Sequence, residues 1–231
     1  MKKFINKSKF ISLSFVTLVA SLLMIGQANA AINVFEYDVT ISGVAPSSNS
    51  PWLTATFDDS YSGANTVRLT MFASNSLGNE SISEWYFNFD PSLDLAELSF
   101  NEISSDGVDM SKSQTGPFTG VDAYQADGDG LYDINFIFPP PPGRPADRFQ
   151  AGETVVYDIT YTSPIDVNSF NFFSSDGGGQ GNYLSAAHVL NTSGGGSSGW
   201  VGVVPEPVSS TLFLVGAATL GFRRLRRNRK G

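Results

Sequence analysis

Strand-like alternation of apolar and polar side chains is the feature that most constrains the fold of this chain. In the segment TVRLTMFA, which begins at Thr66, every second side chain is apolar, and WLTATF from Trp52 repeats the pattern with two threonines. This period belongs to a strand with one buried face. Comparable strands are predicted at 32–42, 83–89, 95–103, 131–138, 154–162, 167–173, 184–190 and 199–204. About ten short strands without an amphipathic helix predict an all-β fold, an antiparallel β-sandwich of jelly-roll-like type.

Turn-forming residues separate these strands. The sequences DPS from Asp90, SDG from Ser105 and DGGG from Asp176 supply the positive φ angles or proline-set bends that turns need. The proline run 139–142 predicts a stiff surface loop, because proline cannot donate to a β-ladder. No fixed repeat and no internal boundary is visible, so residues 31–203 are predicted to form one domain between terminal segments 1–30 and 204–231.

The charge of the predicted domain limits its partners. Residues 31–203 contain 4 basic and 21 acidic residues, a net charge of −17. Such a field repels nucleic acid and attracts cations or cationic partners, although acidity also serves simply to keep an exported protein soluble. The chain has no cysteine and a single histidine, His188. Disulfides, thiolate chemistry and metal centres built from several histidines are therefore excluded.

Residues 1–30 contain the three parts of a secretory signal peptide. Four lysines lie within residues 1–9, an apolar run follows over 10–26, and Ala28 and Ala30 provide the small side chains that signal peptidase accepts. Cleavage after Ala30 makes Ala31 the first residue of the mature protein. The alternative is an N-terminal anchor that is not cleaved.

A two-proline motif, an uncharged segment and a basic cluster follow one another in residues 204–231. The motif is Val204-Pro205-Glu206-Pro207, whose prolines prevent a helix and keep the chain extended, as a protease requires. Segment 208–222 has 15 residues without a charge. As a helix it spans about 22 Å against a hydrocarbon core of about 30 Å, so a short transmembrane helix with locally thinned bilayer is predicted. The basic residues that hold its end in the cytoplasm are Arg223, Arg224, Arg226, Arg227, Arg229 and Lys230.

These three parts in this order resemble the PEP-CTERM sorting signal of exported proteins in Gram-negative bacteria. The resemblance implies processing by an exosortase, a membrane-embedded protease or transpeptidase that recognises the Pro-Glu-Pro motif. It also implies transient anchoring in the inner membrane, and then association with the cell surface or the polysaccharide of a biofilm matrix. A plain anchor that is never cleaved is the alternative. The segments EWYFNFDP, ADGDGLYDI and SAAHV, which begin at Glu84, Ala126 and Ser185, resemble a class of PEP-CTERM ectodomains of uncharacterised function.

The segment DGDGLYD, which begins at Asp127, predicts a calcium site. Asp127, Asp129 and Asp133 can supply oxygen ligands from a glycine-rich loop, with Asp122 nearby. The match to extracellular calcium loops is partial, because Gln125 occupies the first acidic position and no glutamate closes the loop. The alternative is a turn in which Asp and Gly adopt positive φ ahead of a strand. Calcium is the only cofactor that the sequence predicts.

The sequence predicts a protein that is not an enzyme. Acidic residues are so frequent that a close pair indicates no glycosidase, and the glycine runs lack the lysine of a phosphate loop. A lone His188 in an apolar strand is typical of a structural histidine. Three tryptophans, 8 tyrosines and 18 phenylalanines offer sugar-stacking surfaces, although a sandwich core needs most of them. We therefore expect a structural or binding protein of the envelope or matrix; the alternatives are a carbohydrate-binding module, with or without calcium, and a polysaccharide hydrolase.

Overall fold

Two antiparallel sheets enclose the core of the protein in the computed structural model, which describes residues 30–61, 63, 65–109, 117–139, 147–179, 181–193 and 196–204. The strands are β1 (Ile32–Tyr37), β2 (Val39–Gly43), β3 (Leu53–Asp58), β4 (Thr66–Ala73), β5 (Ser81–Phe87), β6 (Ser99–Asp106), β7 (Phe118–Ala126), β8 (Asp129–Ile137), β9 (Phe149–Gln150), β10 (Thr154–Thr160), β11 (Ser185–Thr192) and β12 (Ser197–Val203). One sheet has the order β1-β3-β4-β10-β6, and the other has the order β2-β12-β11-β5-β8-β7 with β9 beside β5. The all-β, antiparallel β-sandwich part of the sequence prediction is confirmed.

The first two strands connect the sheets. β1 lies at the edge of the five-stranded sheet, and after Asp38 the chain continues as β2 at the edge of the seven-stranded sheet. Early strands pair with late ones in β2–β12, β4–β10 and β5–β11. Other pairs, β3–β4, β7–β8 and β11–β12, are formed by strands that follow one another along the chain, so not every pair joins an early strand to a late one. The jelly-roll arrangement in its narrower sense therefore stays a prediction.

Alternation along the strands builds the core between the sheets. In β4 every second side chain from Val67 to Ala73 points inward and is buried, while Arg68, Thr70 and Phe72 point outward and are partly exposed. At the centre, the ring of Phe57 stacks on Phe170 with centroids 4.7 Å apart and meets the edges of neighbouring rings. Burying a side chain of this size contributes roughly 1.5 to 3 kcal/mol. The regular alternation in the sequence thus places apolar side chains on the inner faces of the sheets, and burial of these side chains stabilises the packing of the two sheets.

Three parts of the strand prediction are wrong. Segment 95–103, predicted as one strand, begins with a 3-10 helix at Leu95–Glu97, and β6 starts only at Ser99. Segment 167–173, predicted as a strand, begins with a short 3-10 helix at Val167–Phe170. Its first turn is closed by a capping box, in which Asp166 accepts a hydrogen bond from the Asn168 amide at 2.8 Å and the Ser169 hydroxyl accepts one from the Asp166 amide. The third error is β7, which was not predicted because its pairing with β8 is irregular and most of its side chains are exposed.

Both targeting segments lie outside the described residues, except for Ala30 at one end and Val204 at the other. The predicted signal peptide over 1–30 and the predicted transmembrane helix over 208–222 therefore stay predictions. Within the part of the chain that is described, we find no helix with the length and apolar character needed to cross a membrane.

Candidate functional site

The three aspartates of the calcium prediction lie on the hairpin formed by β7 and β8. Ala126 pairs with Asp129, so Asp127 and Gly128 form the two-residue turn between the strands. Both turn residues have positive φ, 48° for Asp127 and 82° for Gly128. This is the geometry of a type I′ turn, for which Asp-Gly is a favoured pair. Hairpin geometry alone thus accounts for the Asp-Gly sequence at this point.

The other two carboxylates, those of Asp129 and Asp133, accept hydrogen bonds from backbone amides. Asp129 is 4% exposed, and its Oδ1 accepts a hydrogen bond from the Gly181 amide at 3.2 Å. Asp133 accepts from the Asp122 amide through Oδ1 at 2.9 Å and from the Phe89 amide through Oδ2 at 3.0 Å. Within the described ranges, no group of three or more His, Cys, Asp or Glu side chains is placed to hold a metal ion. Calcium binding by the three aspartates thus stays a prediction, and the observed geometry does not add support to it.

A cleft of about 160 Å³ opens beside the same hairpin, and we call it the Phe173 cleft. The chain after β5 supplies one wall, with Asn88 and Asp90. The irregular part of β7 supplies another wall, and Asp133 projects from β8. The loop that follows the Val167–Phe170 helix closes the cleft with Phe173. The cleft is therefore built by four separate parts of the chain.

The bulge in β7 gives the cleft its exposed rim. Pairing with β8 shifts register between Thr119 and Tyr124, and Asp122 within this interval has a φ of 51°. A non-glycine residue adopts this left-handed conformation only when its surroundings hold it there, and here the Asp122 amide is fixed by Asp133. The bulge leaves Val121 77% exposed, and Phe173, which also lines the cleft, is 52% exposed.

Hydrogen-bond acceptors dominate the polar lining of the cleft. Three of its twelve lining residues are aspartates and none is basic. The Asn88 side-chain amide donates both of its N–H groups, to the carbonyls of Phe172 at 3.1 Å and Leu184 at 3.2 Å. Asp90 accepts two hydrogen bonds from Ser92 through Oδ1. Ser175 adds a hydroxyl that can donate or accept, so the lining as a whole favours a ligand that brings its own donors.

The tryptophans do not provide the sugar-stacking surface that the sequence allowed for. Trp52, Trp85 and Trp200 are 7%, 0% and 9% exposed. Trp85 lies in the core between the sheets, and Trp200 lies on the outer face of the seven-stranded sheet, stacked on His188 at 4.7 Å. The exposed aromatic ring at a cleft is instead Phe173, which sequence reasoning placed within a strand. The only signal for Phe173 in the sequence was its position three residues before the turn-forming segment that begins at Asp176.

The single histidine, His188, forms a hydrogen bond with a buried serine. The Ser83 hydroxyl lies 3.0 Å from His188 Nδ1, and Ser83 is 6% exposed. Burial lowers the pKa of His188, against the opposing effect of Glu84 and Asp127. A neutral imidazole stacked on Trp200 and bonded to a buried hydroxyl fits the structural role expected from the sequence.

The structure describes only the inner ends of the two targeting signals. The backbone nitrogen of Ala31 donates to Asp59 Oδ1 at 2.6 Å, and Ala31 packs against the core. Val204 is 42% exposed and follows β12 directly. The remaining predicted processing and membrane-stop residues lie outside the described residues: Ala28, Pro205, Glu206, Pro207, Arg223, Arg224, Arg226, Arg227, Arg229 and Lys230.

Comparison with known proteins adds little to this description. No protein-family model matches the chain, and no curated protein is significantly similar to it. Among solved structures, a match is a biomass-sensing module from Rsgi-like proteins of Clostridium thermocellum, which is reported to resemble a family 3 carbohydrate-binding module of the cellulosome. It is 14% identical, covers 77% of this chain and 99% of that chain, and aligns with a TM-score of 0.30. At that TM-score the likeness supports no conclusion about fold or function.

Proposed function

We propose that this protein is exported, sorted by an exosortase and delivered to the cell surface or extracellular matrix of a Gram-negative bacterium. The observation that carries the proposal is the order of parts in residues 204–231: the Pro-Glu-Pro motif, the uncharged segment and the basic cluster. Together with the predicted signal peptide, this order supports a location of the domain outside the inner membrane, with the basic end in the cytoplasm.

The limits of the folded domain are compatible with this arrangement. β1 begins at Ile32, two residues after the predicted cleavage position at Ala30, and β12 ends at Val203, one residue before the motif. Both signals thus adjoin the sandwich without belonging to a named strand. Removal of either signal therefore takes no residue from any strand of the two sheets.

Alanine substitution of the motif tests the sorting proposal. We expect Pro205→Ala/Glu206→Ala/Pro207→Ala to leave full-length precursor in the inner membrane, detected by fractionation and immunoblotting against the domain. Ser163→Ala/Pro164→Ala is the matched control, because both residues lie in an exposed loop far along the chain from the motif. Normal processing and release of the motif variant contradict the proposal.

Within the same proposal, the domain has a structural or binding role and is not an enzyme. The Phe173 cleft supports binding, because it combines an exposed aromatic ring with carboxylates at one concave site. A carbohydrate-binding module is the second candidate function, favoured by that same pairing of an aromatic face with hydrogen-bond acceptors. A hydrolase has less support, because the Ser83 hydroxyl that faces His188 is buried, at 6% exposure.

A further inference from the structure

We infer that the Phe173 cleft binds a sugar ring that carries a protonated amine, as found in a glucosamine-containing polysaccharide. This inference rests on the proposed delivery of the protein to a polysaccharide matrix, and it specifies the ligand class of the binding role. Three properties of the cleft support it: its acceptors, its apolar rim and its charge.

The acceptors of the cleft require a ligand rich in donors. Asp90, Asp122 and Asp133 offer only acceptor oxygens when ionised, and the N–H groups of Asn88 are already used within the protein. Sugar hydroxyls can donate to such oxygens, and an ammonium group donates three charge-assisted hydrogen bonds. Anionic sugars, such as uronic acids, are disfavoured because no basic residue lines the cleft.

The apolar rim of the cleft suits the face of a ring. Phe173 and Val121 are large apolar side chains that stay more than half exposed, at 52% and 77%. A pyranose presents C–H groups on one face. An aromatic ring packs more favourably against such a face than against a hydrated ion. The volume of about 160 Å³ also favours one compact ring over an extended peptide segment. A small inorganic cation makes no favourable contact with this apolar surface.

Charge complementarity favours the amine form of the sugar over its acetylated form. The three aspartates of the cleft belong to a domain in which residues 31–203 have a net charge of −17. The ammonium group gains both from the adjacent carboxylates and from the field of the whole domain. Its attraction to the exposed Asp122 is weakened by salt, so binding must fall as ionic strength rises.

Calorimetric titration of the exported protein, purified in a polyoxyethylene detergent, tests the inference. The probes are a tetramer of β-1,4-linked glucosamine and the corresponding tetramer of N-acetylglucosamine. We expect the amine form to bind at least about tenfold more tightly at low salt, since a charge-assisted contact replaces a neutral one. Tetralysine serves as the probe for a basic peptide.

Two substitutions at the cleft and two matched controls locate the binding. Phe173→Ala and Asp122→Asn each weaken binding of the amine tetramer about five- to tenfold, and asparagine tolerates the positive φ at position 122. Asp127→Asn removes the same charge at another positive-φ position of the hairpin, and Ile103→Ala truncates an exposed apolar side chain on β6. Neither control lines the cleft, so both retain the affinity of the original chain.

Each contrary outcome is informative. Equal binding of the two tetramers overturns the requirement for an amine, and unchanged binding by both cleft variants overturns the assignment to the Phe173 cleft. Tighter binding of tetralysine with the same loss in Phe173→Ala assigns the cleft to basic peptides instead. Absence of binding by every probe overturns the inference while leaving the sorting proposal intact, because precursor processing is measured separately in cells.

Discussion

At the scale of single residues, the contact between Ala31 and Asp59 links export to stability. The Ala31 nitrogen lies 2.6 Å from the Asp59 carboxylate. Cleavage after Ala30 turns this nitrogen from a neutral amide into an α-ammonium group, so the same contact becomes charge-assisted. We expect Asp59→Asn to lower the stability of the chain that begins at Ala31 by about 1 kcal/mol, a modest value because the pair is partly exposed.

A comparison of two chain lengths isolates this effect. The melting temperature of the chain that begins at Ala31 is expected to fall by roughly 2 to 4 °C on Asp59→Asn. Retaining residues before Ala31 removes the charge from the nitrogen, and the substitution then has a smaller effect. Glu36→Gln, at an exposed position of β1, is the matched control. An equal loss in both chain lengths argues against an ion pair at the processed terminus.

Glu80 is a buried carboxylate whose role is structural. It is 2% exposed and accepts hydrogen bonds from the Ser47 amide at 3.2 Å, the Ser47 hydroxyl at 3.0 Å and the Gly78 amide at 2.7 Å. Burial raises the pKa of Glu80, but these bonds and one from its own backbone outweigh burial and hold the pKa below its ordinary value of 4.5. The carboxylate thus holds two loops together in its ionised form.

The sign of this pKa shift fixes the pH dependence of its contribution. A lowered folded-state pKa means that the stabilisation is complete above the unfolded-state value and is lost as pH falls through the folded-state value. We expect Glu80→Gln to cost about 1 to 3 kcal/mol at pH 7, because an amide donor replaces an acceptor facing backbone N–H groups. Urea unfolding measures this cost, which must shrink at strongly acidic pH. Exposed Glu102→Gln is the control, and an equal loss in both variants contradicts the assignment.

At the scale of elements, a buried polar chain joins strands of the two sheets. Trp85 Nε1 on β5 donates to the Tyr37 hydroxyl on β1, which is hydrogen-bonded to the Ser185 hydroxyl on β11. Ser185 in turn donates to the Tyr86 carbonyl. Since all of these groups are buried, removing the shared hydroxyl leaves polar atoms without partners in the core.

Tyr37→Phe tests whether this polar chain stabilises the packing of the sheets. We expect a loss of about 1 to 3 kcal/mol in the free energy of unfolding, because the Trp85 indole then lacks its acceptor. Tyr157→Phe, on the inner face of β10, removes a hydroxyl from another core tyrosine that takes no part in this chain. The control should change stability by less than about 0.5 kcal/mol. Similar losses in both variants contradict a specific role for the chain.

The elements also differ in how far their sequence determines them. Thr66–Ala73 is a strand over the predicted residues, because its period of two matches one buried face. The segment that begins at Val167 has β-forming Val and Phe residues interrupted by Asn and Ser, and the cap by Asp166 and burial of Phe170 favour a 3-10 helix. β7 lacks a clear apolar face because it lies at a sheet edge and contains a bulge. Local pattern therefore predicts inner strands better than edges and capped turns.

The candidate site shows the same division between local and distant information. The Asp-Gly turn at Asp127 was visible in the sequence as the alternative to calcium binding, because two-residue hairpin turns have local signatures. The Phe173 cleft was not visible, because its walls come from segments that are distant in sequence. The sequence predicts Asp133 as a metal ligand, but its position at the cleft depends on hydrogen bonds from the Phe89 and Asp122 amides. Such convergence requires the tertiary fold.

At the scale of the whole molecule, excess negative charge opposes the compact state. Residues 31–203 have a net charge of −17, and the ion pair between Arg68 and Asp158, with atoms 2.8 Å apart, joins adjacent strands. Repulsion among the remaining acids is spread over the surface and is screened by salt over about 10 Å at 0.1 M. We expect the melting temperature to rise when NaCl is increased from about 10 mM to about 150 mM.

Divalent cations separate this general screening from a specific calcium site. Because the described carboxylates are not gathered into a group that could hold a metal, Ca²⁺ and Mg²⁺ at equal ionic strength are expected to raise the melting temperature equally. A specific site at 100 times its dissociation constant adds about 2.7 kcal/mol, which corresponds to roughly 5 to 10 °C for a domain of this size. An extra shift of that order in Ca²⁺ alone, lost in Asp129→Asn but kept in Asp176→Asn, overturns this expectation. That result restores the calcium loop predicted from the sequence, whereas equal shifts leave Asp127 and Gly128 as a hairpin turn in a domain stabilised by screening of its own charge.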